Sequence, residues 1–176
     1  MLLHDVAKPV CRTEDENGIH HFHGHPQVGA EMSRKILRRL KFDNDTIHRV
    51  MALVRAHDDR PPLQGRSVRR AIYRNGTGQY PELFEVKRAD ILAQSSFLQQ
   101  EKLLYVDRYE HMYQQIMEKE QCLSLKELAV NGSDLIARGI QPGKEIGEIL
   151  HQMLEKVLEE PELNEKEVLL AWYFKA

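Results

Sequence analysis

Cysteines, aromatic residues and long apolar runs are all scarce in this sequence of 176 residues. The two cysteines, Cys11 and Cys122, are far apart and lack the spacing of metal ligands, so we interpret both as plain thiols in a reducing compartment. No uncharged apolar run is long enough to cross a bilayer, and the first residues lack the basic and apolar segments of a signal peptide. These absences favour a soluble, cytoplasmic protein without a membrane partner.

The formal net charge of -2 conceals an uneven distribution of charge. Residues 1–100 carry 16 basic and 12 acidic side chains, whereas residues 101–176 carry 9 and 15. The basic surplus is mainly in segments 34–41 and 66–74. Clustered arginine can bind phosphate or nucleic acid. Solvated helix faces have the same composition, so the sequence leaves both interpretations open.

Apolar residues recur at helical spacing through most of the chain, and we find no convincing strand alternation. After Pro26, which suits the first turn of a helix, an apolar residue recurs every four positions. The chain is long enough to bury a core without disulfides, and we predict an all-α fold whose carboxyl-terminal third is a separate small module. Further helices are expected to begin at Asp43 or Asp45, near Ser67 and at Tyr80, from about Phe97 to Lys119, and after caps at Ser124, Ser133 and Asn164.

Five potential metal ligands occur in an order that suggests one site: His4, Asp5, His25, His57 and Asp90. A His-Asp dipeptide is frequent by chance, but each of these residues falls at the edge or on one face of a separate element. Packed helices could therefore aim them at one cavity. Such nitrogen and oxygen ligands suit Mg, Mn, Ni, Co, Fe or Zn without selecting among them. The other histidines are interpreted as surface or supporting residues, with His23 the first exception.

Four segments carry a resemblance to a known family: residues 2–9 (LLHDVAKP), 18–31 (GIHHFHGHPQVGAE), 53–57 (LVRAH) and 87–91 (KRADI). In this order they resemble the HD-domain superfamily of metal-dependent phosphohydrolases. Within it, the chain is similar to the helical carboxyl-terminal part of bacterial CCA-adding tRNA nucleotidyltransferases, of the multifunctional CCA protein and poly(A) polymerase family. Segments 130–136 and 139–147 look like the tail module of those enzymes.

The resemblance implies an HD-domain helical bundle over residues 1–120 and a small helical tail module over residues 121–176. It implies His4 and Asp5 as the ligand pair that names the superfamily, His25 and His57 as further metal or phosphate ligands, and Asp90 as the closing carboxylate. Lys8 would lie near the phosphate.

Two departures from the family limit what the resemblance implies. HD domains normally supply another histidine from a helix before the His-Asp pair, so we expect an incomplete ligand set at the amino terminus. The nucleotidyltransferase half, with its strand-borne paired carboxylates, is not among these residues, so nucleotide addition is not expected of them. The sequence fits a piece of a longer protein and a stand-alone relative equally well.

Two functions are consistent with these residues. The first is a metal-dependent phosphohydrolase, a phosphatase or 2',3'-cyclic phosphodiesterase, acting on nucleotides or RNA ends with a divalent metal ion as cofactor. The alternative is a non-catalytic helical module that binds tRNA or another RNA, with a vestigial metal site. Binding through phosphate contacts would depend strongly on salt.

Overall fold

In the computed structural model, residues 2–119 and 121–175 are described, and they are mostly helical, as predicted. None of the helices among them is both long and apolar enough to cross a membrane. A small antiparallel sheet pairs β1 (Thr13–Glu14) with β2 (His20–His21), with Thr13 opposite His21. Strands of two residues carry no alternation, so the sequence did not predict them. The helices are α1 (His25–Arg39), α2 (Asn44–Ala56), α3 (Gly65–Asn75), α4 (Tyr80–Ala93), α5 (Gln99–Glu118), α6 (Gly132–Ala137), α7 (Lys144–Glu159) and α8 (Lys166–Lys175).

The chain divides into two compact units that alternate along the sequence. Unit 1 comprises Met1–Arg60 and Asn75–Asp107, and unit 2 comprises Pro61–Arg74 and Arg108–Ala176. The predicted division into functional domains at residue 120 stays a prediction, because these units describe packing and not function.

Unit 1 is built on α1, α2 and α4, whose apolar faces form its core. Ala30, Val54, Leu83 and Phe84 are fully buried there. The chain turns between α1 and α2 at Lys41, which has a φ of 60°, and Asp43 then caps α2 by accepting a hydrogen bond from the Thr46 amide. This cap confirms one of the two predicted starts of the helix, and α2 ends with His57 at its carboxyl-terminal cap.

Unit 2 shows where local sequence signals were misread. Helix α6 begins with a capping box in which Asn131 accepts from the amides of Ser133 and Asp134, while Asp134 accepts from the Asn131 amide. The predicted cap at Ser133 is therefore wrong by two residues. Asn164 was predicted to cap the last helix, but its side chain accepts from the Ala129 amide and donates to the Glu127 carbonyl.

Candidate metal centre

His25 and His57 each lie at one end of a helix in unit 1, and their rings are close together. His25 begins α1, and its Nδ1 lies 2.8 Å from the Phe22 carbonyl oxygen. His57 closes α2, and its Nδ1 lies 2.7 Å from the Val54 carbonyl oxygen. A carbonyl oxygen only accepts, so each Nδ1 donates, and in the neutral ring each Nε2 then carries a lone pair. The two Nε2 atoms are 3.2 Å apart.

A carboxylate oxygen of Asp5 lies close to the same two Nε2 atoms and is a third potential ligand atom. Its Oδ1 lies 3.6 Å from the Nε2 of His25 and 3.5 Å from the Nε2 of His57. This oxygen is buried and has no hydrogen-bond partner among the described residues. Three acceptor atoms thus converge without a donor between them, an arrangement that costs free energy unless a cation is bound.

His4 and Asp90 form a second group with the other oxygen of Asp5. The Nε2 of His4 lies 3.3 Å from Asp5 Oδ2 and 3.3 Å from Asp90 Oδ1. Asp90 also accepts a hydrogen bond from Gln94, one turn further along α4. The five predicted ligands therefore lie together in two triads that share Asp5, and the ligand atoms of each triad are all within 4.8 Å of one another.

The donor set and its spacing fit a divalent cation. Two ligands about 2.1 Å from one ion, at tetrahedral or octahedral angles, lie about 3.0–3.4 Å apart, close to the separations in the Asp5, His25 and His57 triad. Imidazole nitrogens with carboxylate oxygens suit several first-row metals and do not select one. The His25 and His57 side chains are 7% and 6% exposed, whereas Asp5 and Asp90 are 34% and 27% exposed. The two histidines are therefore buried, whereas the two carboxylates are on a side of the site that a ligand can reach.

The electrostatic environment favours the protonation states of His57 and Asp5 that metal binding requires. Burial lowers the pKa of His57, with further lowering by His4 and His25, and only the hydrogen bond to Val54 and the charge of Asp58 act against it. Burial raises the pKa of Asp5, but the hydrogen bond from Lys8 and the charges of His4, Lys8 and His57 outweigh it, so that this pKa is lowered. A neutral imidazole and an ionised carboxylate are the forms that bind metal.

The turn that carries His4 and Asp5 packs closely on α1. It is held mainly by i to i+3 hydrogen bonds, such as that from the Lys8 amide to the Asp5 carbonyl at 3.0 Å. Pro9 has no amide hydrogen and interrupts the helical pattern. The turn lies against Gly29, where a Cβ would be 3.6 Å from both Ala7 Cβ and the His4 carbonyl oxygen and 3.3 Å from Val54 Cγ1.

Lys8 lies beside Asp5, and its implied place near a phosphate stays a prediction. Its Nζ donates to Asp5 Oδ2 at 2.6 Å, and the side chain is 38% exposed. The ammonium lies 5.9 Å from the centre of the Phe22 ring. His23, the predicted exception among the remaining histidines, stacks on His21 and is in neither triad.

Lys87 is a buried residue that sequence reasoning missed. Its Nζ donates to the carbonyl oxygens of His57 at 2.7 Å and Asp59 at 2.6 Å, so it fixes the chain just where α2 ends. Burial lowers the pKa of Lys87 to about 8, although the charge of Asp59 raises it. The only local signal is its position three residues before Asp90, on the same face of α4.

Comparison with known proteins identifies the family to which the chain is similar. The sequence profile described as tRNA nucleotidyltransferase domain 2 matches residues 13–173, a match that begins after His4, Asp5 and Lys8. The chain is 35% identical over 155 residues to the CC-adding tRNA nucleotidyltransferase of Thermus thermophilus, covering 88% of this chain and 34% of that protein. It is 32% identical over 158 residues to the A-adding tRNA nucleotidyltransferase of Deinococcus radiodurans, covering 88% and 36%.

The chain spans about a third of the length of these curated relatives. No solved structure gives a significant match. Because the family profile covers most of the sequence, the chain belongs to the tRNA nucleotidyltransferase domain 2 family.

Proposed function

We propose that this chain is a metal-dependent phosphohydrolase of the HD type, with phosphatase or 2',3'-cyclic phosphodiesterase activity on nucleotides or RNA ends. The observation that carries the proposal is the buried Oδ1 of Asp5. It lies near the Nε2 lone pairs of His25 and His57 and accepts no hydrogen bond from the described residues. A cation is what such a group of atoms binds. Family membership supports a substrate related to tRNA, since both curated relatives are named tRNA nucleotidyltransferases.

In this proposal His4, Asp5, His25, His57 and Asp90 hold the cation, and Lys8 neutralises charge on the phosphoryl oxygens. A divalent cation bound there would polarise a phosphoryl oxygen and lower the pKa of a water molecule. Hydrolysis forms a bond between the water oxygen and phosphorus and breaks the ester bond, whose oxygen leaves with a proton. Because the histidines bind metal only when neutral, the activity is expected to fall as the pH is lowered.

The test is phosphate release from p-nitrophenyl phosphate and ring opening of 2',3'-cyclic AMP, with Mg, Mn, Co, Ni and Zn added singly. Asp5→Asn keeps the shape of the side chain and removes the charge, so activity and bound metal should both be lost. Asp15→Asn is the matched control, because Asp15 also pairs with a histidine, His21 at 3.0 Å, but belongs to neither triad. Equal rates for the wild type and Asp5→Asn would overturn the proposal.

A second function, tRNA binding by a helical module, is favoured by the family and by the end of α1. Arg38, Arg39 and Lys41 are exposed there and have no ion-pair partner among the described residues. In the other basic segment, residues 66–74, two arginines instead form hydrogen bonds within unit 2. The guanidinium of Arg69 donates to the carbonyls of Leu158 and Glu159, and that of Arg70 pairs with Glu155.

Binding of tRNA can be measured by gel shift over a series of salt concentrations. Arg38→Gln with Arg39→Gln should weaken binding and reduce the dependence on salt by about one unit of slope for each phosphate that the protein no longer binds. Arg70→Gln is the control, because this arginine is already paired with Glu155. No binding at low salt, or equal weakening in the control, would remove this function.

A further inference from the structure

The β1–β2 hairpin and the residues just after it carry three histidines that belong to neither triad, His20, His21 and His23. Successive side chains of a strand point to opposite faces, so His20 and His21 of β2 face different ways. The rings of His21 and His23 are stacked, with centres 5.3 Å apart and planes 8° from parallel. The hairpin therefore presents two adjacent imidazoles together.

The spacing of these two rings fits a shared metal ion. Two imidazoles that bind one ion through nitrogens about 2.1 Å away have ring centres about 5 Å apart at tetrahedral angles, close to the spacing in the hairpin. Because the rings are nearly parallel, one must tilt before both face an ion. His23 is exposed and has no hydrogen-bond or ion-pair partner among the described residues, so its ring can make this rotation.

Asp15 orients the ring of His21 in the way that carboxylates orient many metal-bound histidines. The Nε2 of His21 lies 3.0 Å from Asp15 Oδ2, and because a carboxylate oxygen only accepts, Nε2 is the donor. In the neutral ring Nδ1 then carries the lone pair that can bind a metal ion. Histidine ligands almost always donate their other ring nitrogen to a carboxylate, a carbonyl or water. His21 therefore already has the hydrogen bond that supports a metal ligand.

The turn of the hairpin holds the Asp15 carboxylate in place. Its Oδ1 accepts from the amides of Asn17 at 2.9 Å and Ile19 at 3.0 Å. The hydrogen bond from His21, and then those from the Ile19 and Asn17 amides, lower the pKa of Asp15 below its ordinary value of 3.8. One oxygen is thus anchored by the turn while the other accepts from His21. This arrangement fixes the His21 ring before any ion binds.

We propose that His21 and His23 bind a transition-metal ion such as Zn²⁺, Ni²⁺ or Cu²⁺ at a second site, outside the metal centre. Imidazole suits these ions, whereas Mg²⁺ prefers oxygen ligands. Asp15 supports the site through His21 and is not itself a ligand, since these three residues do not form a compact triad like those of the centre. With two protein ligands, against three in each triad, the hairpin site is weaker and fills only when metal is in excess of what the centre binds.

Isothermal titration calorimetry of the full chain with Zn²⁺ and with Mg²⁺ tests for this site. We expect a weak Zn²⁺ binding event that Mg²⁺ does not show, in addition to any binding at the centre. Asp5→Asn removes the residue that both triads share, so the same titration of this variant isolates the hairpin event. His23→Gln removes one of the two imidazoles and should abolish the event in either background.

His20→Gln is the matched control. It removes a histidine of the same hairpin whose Nε2 accepts a hydrogen bond from the Arg12 guanidinium at 2.7 Å, so that this lone pair is already in use. The weak Zn²⁺ event should therefore be unchanged in His20→Gln. Thermal melting checks that each variant is folded.

Asp15→Asn tests the supporting role of the carboxylate. Asparagine can still accept from the turn amides, but its amide nitrogen cannot accept from His21. The hairpin event should weaken by about 10–100-fold, while binding at the centre stays as in the wild type. An Asp15→Asn variant that binds the hairpin ion like the wild type would remove Asp15 from the proposed site.

The outcome is separate from that of the hydrolysis assay. If the centre binds no metal, the hairpin event should remain and should still require His23, a result that would count only against the proposed hydrolase. The proposal is overturned if His23→Gln binds as many Zn²⁺ ions as the wild type with the same affinities. It is also overturned if His20→Gln loses the weak event to the same extent as His23→Gln.

Discussion

Lys87 is a residue outside both triads that supports the candidate metal centre. Its Nζ connects the carbonyls of His57 and Asp59, and His57 Nδ1 is itself held by the Val54 carbonyl. The ligand is thus fixed through its ring and through its backbone. Supporting hydrogen bonds of this kind orient metal ligands, and their removal typically lowers metal affinity by about 10–100-fold.

We predict that Lys87→Met lowers both stability and metal affinity. Methionine fills a similar volume but cannot donate, so two carbonyls lose a charged hydrogen-bond donor, at a cost of about 1–3 kcal/mol. Urea unfolding measures the first effect, and titration with Mn²⁺ or Ni²⁺ measures the second, where we expect at least a tenfold decrease. Lys35→Met, on the exposed face of α1, should change neither. An unchanged metal affinity in folded Lys87→Met would show that Lys87 does not position His57.

At the scale of a helix, two glycines test how closely the His4 turn packs. Gly29 in α1 and Gly147 in α7 are both inside helices, where alanine is normally favoured by about 0.5–1 kcal/mol. Gly147→Ala should gain this stability, because nothing lies within 4 Å of its new Cβ. Gly29→Ala should gain none and should weaken metal binding, because its Cβ would lie only 3.3 Å from Val54 Cγ1, and the carbonyl of Val54 holds the His57 ring. Equal gains in thermal melting at both positions would contradict this packing.

Helix α6 provides a prediction about pH. The hydrogen bond from Lys166 and the bond from the Asn131 amide lower the pKa of Asp134 below its ordinary value of 3.8. A lowered carboxyl pKa stabilises the fold above pH 3.8, and this contribution is lost as the pH falls through the lowered folded-state pKa. Asp134→Asn should therefore be less stable than the wild type at neutral pH, and the difference should shrink below pH 3.8. Urea unfolding of both proteins over the pH range 2.5–7 measures it, and a constant difference would refute it.

The elements that the sequence predicted well are those with a local physical cause. Pro26 at the start of α1 and Asp43 before α2 are short-range signals, and they mark the helix that begins with His25 and the helix that ends before His57. The order of the five residues was visible in the sequence itself, the resemblance added their implied roles, and the structure brings all five together. The predicted roles of these residues and the division at residue 120 stay predictions.

What was missed depends on contacts between distant residues. Lys87 is indistinguishable in sequence from a solvated lysine until α4 packs on the end of α2. A cavity in unit 1 is lined by residues from the end of α2, from α4 and from the start of α5, so no local pattern marks Arg60, Leu98 or Tyr105. The cap of α6 was placed at Ser133 because serine and asparagine are both good caps, and only the geometry selects Asn131.

For the whole molecule, the distribution of the ligands determines how metal should affect stability. All five lie in unit 1, in its Met1–Arg60 and Asn75–Asp107 segments. A metal that binds only the folded site stabilises by RT ln(1 + [L]/Kd), or about 2.7 kcal/mol at 100 times Kd. Removing the metal with EDTA should lower the melting temperature by the corresponding amount, and adding it back should restore the original value.

Hydrogen exchange then locates the effect. We expect metal to increase amide protection most at the end of α2 and in α4, which carry His57 and Asp90, with α7 as the internal reference because it carries no ligand. Asp5→Asn removes the residue that both triads share and should abolish both the thermal shift and the added protection. Asp15→Asn should keep them. If metal stabilises Asp5→Asn as much as the wild type, the cation binds elsewhere, and the convergence of Asp5, His25 and His57 has another cause.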